Sequence, residues 1–169
     1  MKVLTLVIAL LALSIITPGI VNAMATRTEL TGTYDMTATW PGDIYVLESG
    51  IMRQVGAVAS GPITSSDPRL TGVLQIELYA IFNLNTGKGN AFGSCKISNA
   101  AGTFEGRFTV KDTDYVYFEG EVEGHGTAAY EGLLVKLEMA GIDLYRDADP
   151  ATNGISADFT GHILSPHGV

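Results

Sequence analysis

The stretch GTFEGRF at residues 102–108 sets an aromatic ring, one spacer and a glycine in line, and the chain returns to that pattern. Phe118-Glu-Gly120, Tyr130-Glu-Gly132 and Phe159-Thr-Gly161 repeat it, with Leu30-Thr-Gly32 and Leu70-Thr-Gly72 as aliphatic variants. Residues i and i+2 of a strand point to one face. Phe104 therefore shares a face with Gly106, Phe118 with Gly120, and Phe159 with Gly161. Glycine inside a strand weakens it, but it permits the sharp bend and close backbone approach of a tightly curved sheet. A large neighbouring ring then covers the bare backbone. The competing reading is a ligand signature repeated along the chain. Because the glycines recur on the apolar face of several strands, we read the repeat as a folding device that favours a closed barrel.

Alternation with period two runs outward from this stretch in both directions. In LTGTYDMTATW, residues 30–40, the even positions are apolar or glycine and the odd ones are Thr or Asp. TFEGRFTVK (103–111) sets Phe104, Gly106, Phe108 and Val110 against Thr103, Glu105, Arg107, Thr109 and Lys111. Phe118, Gly120 and Val122 oppose Glu119, Glu121 and Glu123, and Ala157, Phe159 and Gly161 oppose Asp158, Thr160 and His162. Such strands have one wet face and pair antiparallel. Residues 44–60 read as a short strand, a Ser-Gly turn and a second strand. LTGVLQIELYAIFNL (70–84) is apolar on both faces over Tyr79–Phe82, which suggests a covered outer side. AYEGLLVKLEM (129–139) alternates too, with a helix as the alternative because Leu, Lys, Glu and Met favour one. Turn residues fall at 86–90, 99–102, 111–114 and 147–154. The fold expected is all-β: a single antiparallel β-barrel of about eight strands, with a β-sandwich as the alternative.

GHGTAAYEGL, residues 124–133, follows an alternating strand rich in Gly and Glu. It resembles the Gly-x-Gly-Thr-x-x-Tyr/Phe-x-Gly segment of the allene oxide cyclase and dirigent barrels and of related small bacterial barrel proteins. The resemblance spans residues 90–165 and lies in the glycine spacing. It implies an eight-stranded antiparallel barrel, often trimeric, whose apolar cavity orients a hydrophobic substrate. No catalytic residue of those families matches a position here. LTGTY at Leu30–Tyr34 is similar to first-strand segments of avidin- and lipocalin-type barrels, but Trp40 is the only tryptophan, where avidin-type pockets use several.

The chain opens MKVLTLVIALLALSIITPGIVNAMA: one lysine, an apolar run, then Pro18-Gly19 and small residues. That order is a secretory signal peptide over residues 1–23, or to 25 if cleavage follows Ala25. A retained anchor is the alternative. Residues 24–169 then form one domain, exported to the periplasm or medium, with no further helical membrane span expected. The chain carries 18 acidic against 10 basic residues and a formal charge of −8. The basic residues are scattered, which argues against nucleic acid as a partner. Cys95 is the one cysteine, so no internal disulfide forms; we read it as a small core residue rather than a reactive thiol.

Candidate chemistry is sparse. His125, His162 and His167 show no metal-ligand spacing. Glu119, Glu121 and Glu123 on one face form a solvated stripe or, if crowded, an acid–base group. No cofactor is expected, but calcium is an option at RDADPATNG, where Asp147, Asp149 and Asn153 bring oxygen ligands into one loop. The same residues suit any long hairpin loop. The reading drawn is an exported non-catalytic barrel that binds a small apolar molecule, with Tyr34, Phe104, Phe108, Phe118 and Phe159 lining the interior. The alternatives are an interaction module of the cell surface or periplasm, self-associating through Tyr79–Phe82, and an isomerase- or cyclase-like enzyme.

Overall fold

The computed structural model of the protein describes residues 25–113, 117–143 and 154–166. The described residues form strands β1 (Thr26–Trp40), β2 (Asp43–Val46), β3 (Ile51–Ser65), β4 (Gly72–Asn83) and β5 (Lys88–Ser98). These are followed by β6 (Gly102–Asp112), β7 (Tyr117–Ala128), β8 (Leu134–Asp143) and β9 (Gly154–Ser165). Every neighbour is antiparallel, and β1 pairs with β9 on one side and β3 on the other. The sheet thus closes into an eight-stranded barrel, with β2 outside the ring on β3. Residues 129–132, where a helix was the alternative, make the turn before β8. Pairing of β8 on both edges outweighs the helical preference of its residues.

The rings and glycines lie on the concave side, and the register adds what the spacing did not show. Each inward phenylalanine sits directly across from a glycine on a neighbouring strand: Phe104 from Gly126, Phe108 from Gly93, Phe118 from Gly141. Phe159 faces Gly32 and Phe82 faces Gly89 in the same way. At Gly32, Gly89 and Gly141 the ring lies against its cross-strand partner rather than the glycine two places along its own strand, while Gly93 and Gly126 lie closest to the Glu77 and Tyr130 backbones. The reason is steric. A Cβ at Gly141 would run into Ser156 O and lie 2.5 Å from Ala157 Cβ and 2.7 Å from Phe118 Cζ, and one at Gly106 would lie 2.6 Å from the Cα of Gly124, its partner on β7. Coiled strands at this curvature leave no room for a methyl group at those points.

Tyr130-Glu-Gly132 departs from the pattern. Tyr130 lies in the β7–β8 turn, and Gly132 there has φ +83°, the left-handed region. The ring folds back into the barrel end and stacks on Phe104 at 5.1 Å between centroids. Its hydroxyl donates to Asn99 Oδ1 at 2.8 Å. Asn99 Oδ1 also accepts from the Ala101 N–H at 3.0 Å, and its Nδ2 donates to the carbonyls of Arg69 (3.1 Å) and Thr71 (3.2 Å). One amide thus ties together the β5–β6 turn, the β7–β8 turn and the 3-10 turn Pro68–Leu70. Asp67 caps that turn, accepting from the Arg69 guanidinium at 2.6 and 2.9 Å, and this pairing holds its carboxyl below the usual range. With Leu70 and Ile163 fully buried beside them, these groups close one end of the barrel.

Two bulges reset the alternation. At Gly56, φ +70°, one extra residue enters β3 between Val55 and Ala57. Gln54 therefore turns inward and Val55 outward, after which Ala57, Ala59 and Ile63 face the core. A second irregularity between Ala38 and Trp40 takes Trp40 out of the inward series, leaving it 58% exposed.

Gly141→Ala should destabilise the fold by about 1–3 kcal/mol, the usual cost of overpacking. Part of that loss should return in the Gly141→Ala/Phe118→Leu double variant, read by urea denaturation. Equal stability of Gly141→Ala and the parent would contradict the cross-strand ring-on-glycine account.

Candidate functional site

The barrel is not filled throughout. A cavity of about 300 Å³ lies in the half away from the Tyr130 plug. Its origin can be traced row by row through the register. One inward row runs Gln54, Ala80, Ala91, Val110 across β3 to β6, so two alanines stand side by side where larger residues would meet. The row beyond it runs Met52, Phe82, Gly89, Asp112, Phe118, Gly141. Small residues in both rows leave the volume. Ile44 of β2 and Leu84 after β4 line the cavity yet remain substantially exposed, so it meets solvent at this end.

Of the aromatic residues expected to line the interior, Tyr34, Phe108, Phe118 and Phe159 stand on the cavity wall. Phe104 does not: it is 2% exposed, stacked against Tyr130 in the closed end, and it serves the plug. The deeper wall is aliphatic, with Ile76, Leu78 and Leu137. Such a lining favours an apolar occupant.

Four polar groups reach the cavity. The Tyr34 hydroxyl donates to Met139 Sδ at 3.1 Å, and burial pushes its pKa up, so it stays neutral. Burial pushes the Cys95 thiol up to about 11, which leaves it protonated and a poor nucleophile. Gln54 donates to the Pro41 carbonyl at 2.8 Å, joining the mouth to the β1–β2 turn. Asp112 is half-buried, and desolvation raises its carboxyl above the ordinary value. Asp112 was not expected here, because KDTD reads as a turn. The signal was present: the inward series Phe104, Gly106, Phe108, Val110 extends by one step to Asp112.

The remaining expectations concern the outside. Glu119, Glu121 and Glu123 are exposed, with Lys136 Nζ at 3.7 Å from Glu121 and 3.2 Å from Glu123, so the stripe is solvated and partly neutralised. His125 is exposed on the same wall. Among the described residues no group of three or more His, Cys, Asp or Glu side chains is placed to hold a metal ion. Asp147, Asp149 and Asn153 lie outside the described residues, as does His167. The apolar outer face of β4 is uncovered among the described residues: Tyr79 stacks on Phe92 at 5.9 Å, with Val55 beside Tyr79 in register and Ile81 beyond. No protein-family model, curated protein or solved structure matches the chain.

The two acids differ in sign. Asp67 has its pKa lowered, so its contribution is present above the unfolded value of 3.8 and is lost as pH falls through the folded one. Asp112 has its pKa raised above 3.8, so it weakens the fold increasingly as pH rises through that interval. Asp112→Asn should therefore melt higher than the parent at neutral pH and converge with it at pH 3, as read by thermal denaturation across pH. A variant that melts lower at neutral pH would show that Asp112 is not a desolvated acid.

Proposed function

We propose that the protein is an exported, non-catalytic carrier that holds one small apolar molecule inside its barrel. The observation that carries this reading is the cavity of about 300 Å³, walled by Phe108, Phe118, Phe159 and aliphatic side chains and open at one end. Ligand pockets begin at roughly this size, and eight strands are about the number at which a barrel either fills itself or keeps room for one small ligand. The neutral states of Tyr34 and Cys95 favour holding over chemistry. The apolar run at residues 3–16, followed by Pro18-Gly19 and small residues, supports export.

Ala91 is the residue through which this reading can be tested. A neutral fluorescent probe, N-phenylnaphthylamine, should bind the parent with a stoichiometry of about one. Ala91→Leu should abolish that binding while keeping or raising the melting temperature, since it fills space beside Ala80 rather than displacing packed atoms. Undiminished probe binding by Ala91→Leu would sink the internal site.

A second reading, an interaction module, draws on the uncovered Tyr79–Phe92 stack with Val55 and Ile81. Isolated exposed apolar residues are ordinary, but a continuous patch points to a partner. If that partner is another copy, sedimentation of the parent should shift with concentration and that of Tyr79→Ser/Phe92→Ser should not. A concentration-independent monomer in both would remove self-association.

A further inference from the structure

The electrostatics of the cavity are one-sided. Among its described lining residues Asp112 is the only acid, and there is no Lys, Arg or His. The register of β6 fixes Asp112 between Gly89 of β5 and Phe118 of β7, with Phe82 beyond Gly89 on β4. A Cβ at Gly89 would lie 3.0 Å from Asp112 Oδ2, so the carboxyl rests over that bare backbone, beside the aromatic rings of the mouth. No described side chain forms a hydrogen bond or ion pair with it. The charged residues flanking it in sequence and register, Lys88 on β5, Lys111 on β6 and Glu119 on β7, all occupy exposed, outward positions. Lys88 and Lys111 border a shallow outer cleft that Asp112 also touches, without pairing. The other titratable groups facing the cavity, Tyr34 and Cys95, are neutral.

A carboxyl at the mouth of an apolar cavity is costly unless something pairs with it. An anionic ligand would meet repulsion from Asp112 and from a chain of formal charge −8. An alcohol would supply one hydrogen bond and leave the charge in place. A cation would complete both the ion pair and the hydrogen bond, next to rings whose faces attract positive charge.

We propose that the occupant is an apolar amine: its hydrocarbon body fills the space beside Ala80 and Ala91, and its ammonium group sits on Asp112 between Phe82 and Phe118. This rests on the carrier reading and names its ligand class. Binding of the cation competes with the proton on Asp112, so affinity falls below the carboxyl's pKa and is level above it until the ammonium loses its own proton at alkaline pH.

Octylamine, octanol and octanoate share one chain length and differ only in the head group, which makes them the probes for calorimetric titration of the full chain. Octylamine should bind at least about tenfold tighter than octanol, with octanoate weakest. Asp112→Asn should bring octylamine down to the octanol level and leave octanol unchanged, because it removes charge without removing volume. Lowering the pH below the Asp112 pKa should weaken octylamine by about tenfold per unit and leave octanol level. If octanol equals octylamine in the parent, or Asp112→Asn keeps the amine preference, the amine assignment falls while the carrier reading stands. If none of the three binds, the carrier reading falls and the assignment falls with it.

Discussion

A sheet of eight strands can close only if each strand coils sharply, and the concave side of a sharply coiled strand comes too near its neighbour's backbone to admit a side chain everywhere. In this barrel the points of closest approach are occupied by glycine. Gly106 faces Gly124, while Gly32, Gly93, Gly126 and Gly141 each face a phenylalanine. The ring restores the apolar contact and excludes the water that a bare peptide would otherwise draw in. Burying a phenylalanine is worth about 1.5–3 kcal/mol, so each pair offsets the roughly 0.5–1 kcal/mol by which glycine weakens a strand. Curvature, core and register thus depend on one another.

That constraint also divides the interior. Toward one end Phe104, Tyr130, Leu70 and Ile163 fill the space, and Asn99 and Asp67 hold the turns across it. Every polar atom there that the closure uses has a partner, which matters because an unpaired buried group costs about 1–3 kcal/mol. Toward the other end the rows carry Ala80, Ala91 and Gly89, and the polar groups are Gln54 and Asp112. Phe104, Leu70 and Ile163, among the most deeply buried side chains, lie at the plugged end. The open end gives up packing and keeps one carboxyl at its rim.

Much of this was legible in the chain. The strict alternation of residues 30–36, 103–111 and 155–163 is a direct consequence of strand geometry, and it located the inward faces without help from tertiary structure. The aromatic-x-glycine spacing pointed to curvature for the same reason. What escaped was anything that depends on partners. A bulge at Gly56 moves Gln54 to the cavity and Val55 to the surface; the glycine in QVGAVAS permits a bulge, but only pairing with β4 decides it. Phe104 and Phe108 are equivalent by spacing, yet one packs against Tyr130 and the other faces the cavity. Tyr130 looks like a strand position and is a plug, because a turn of four residues brings it back over Phe104.

The sequence by itself determined which side of each strand is apolar, where the turns fall and where the backbone must stay bare, since those follow from a two-residue period and the absence of a Cβ. Only the tertiary structure decided which residues meet. Register sets each inward phenylalanine across from a glycine of another strand, and barrel closure stacks small residues at one end and large ones at the other. Whether the interior is hollow is a sum over eight strands, and no single strand contains it.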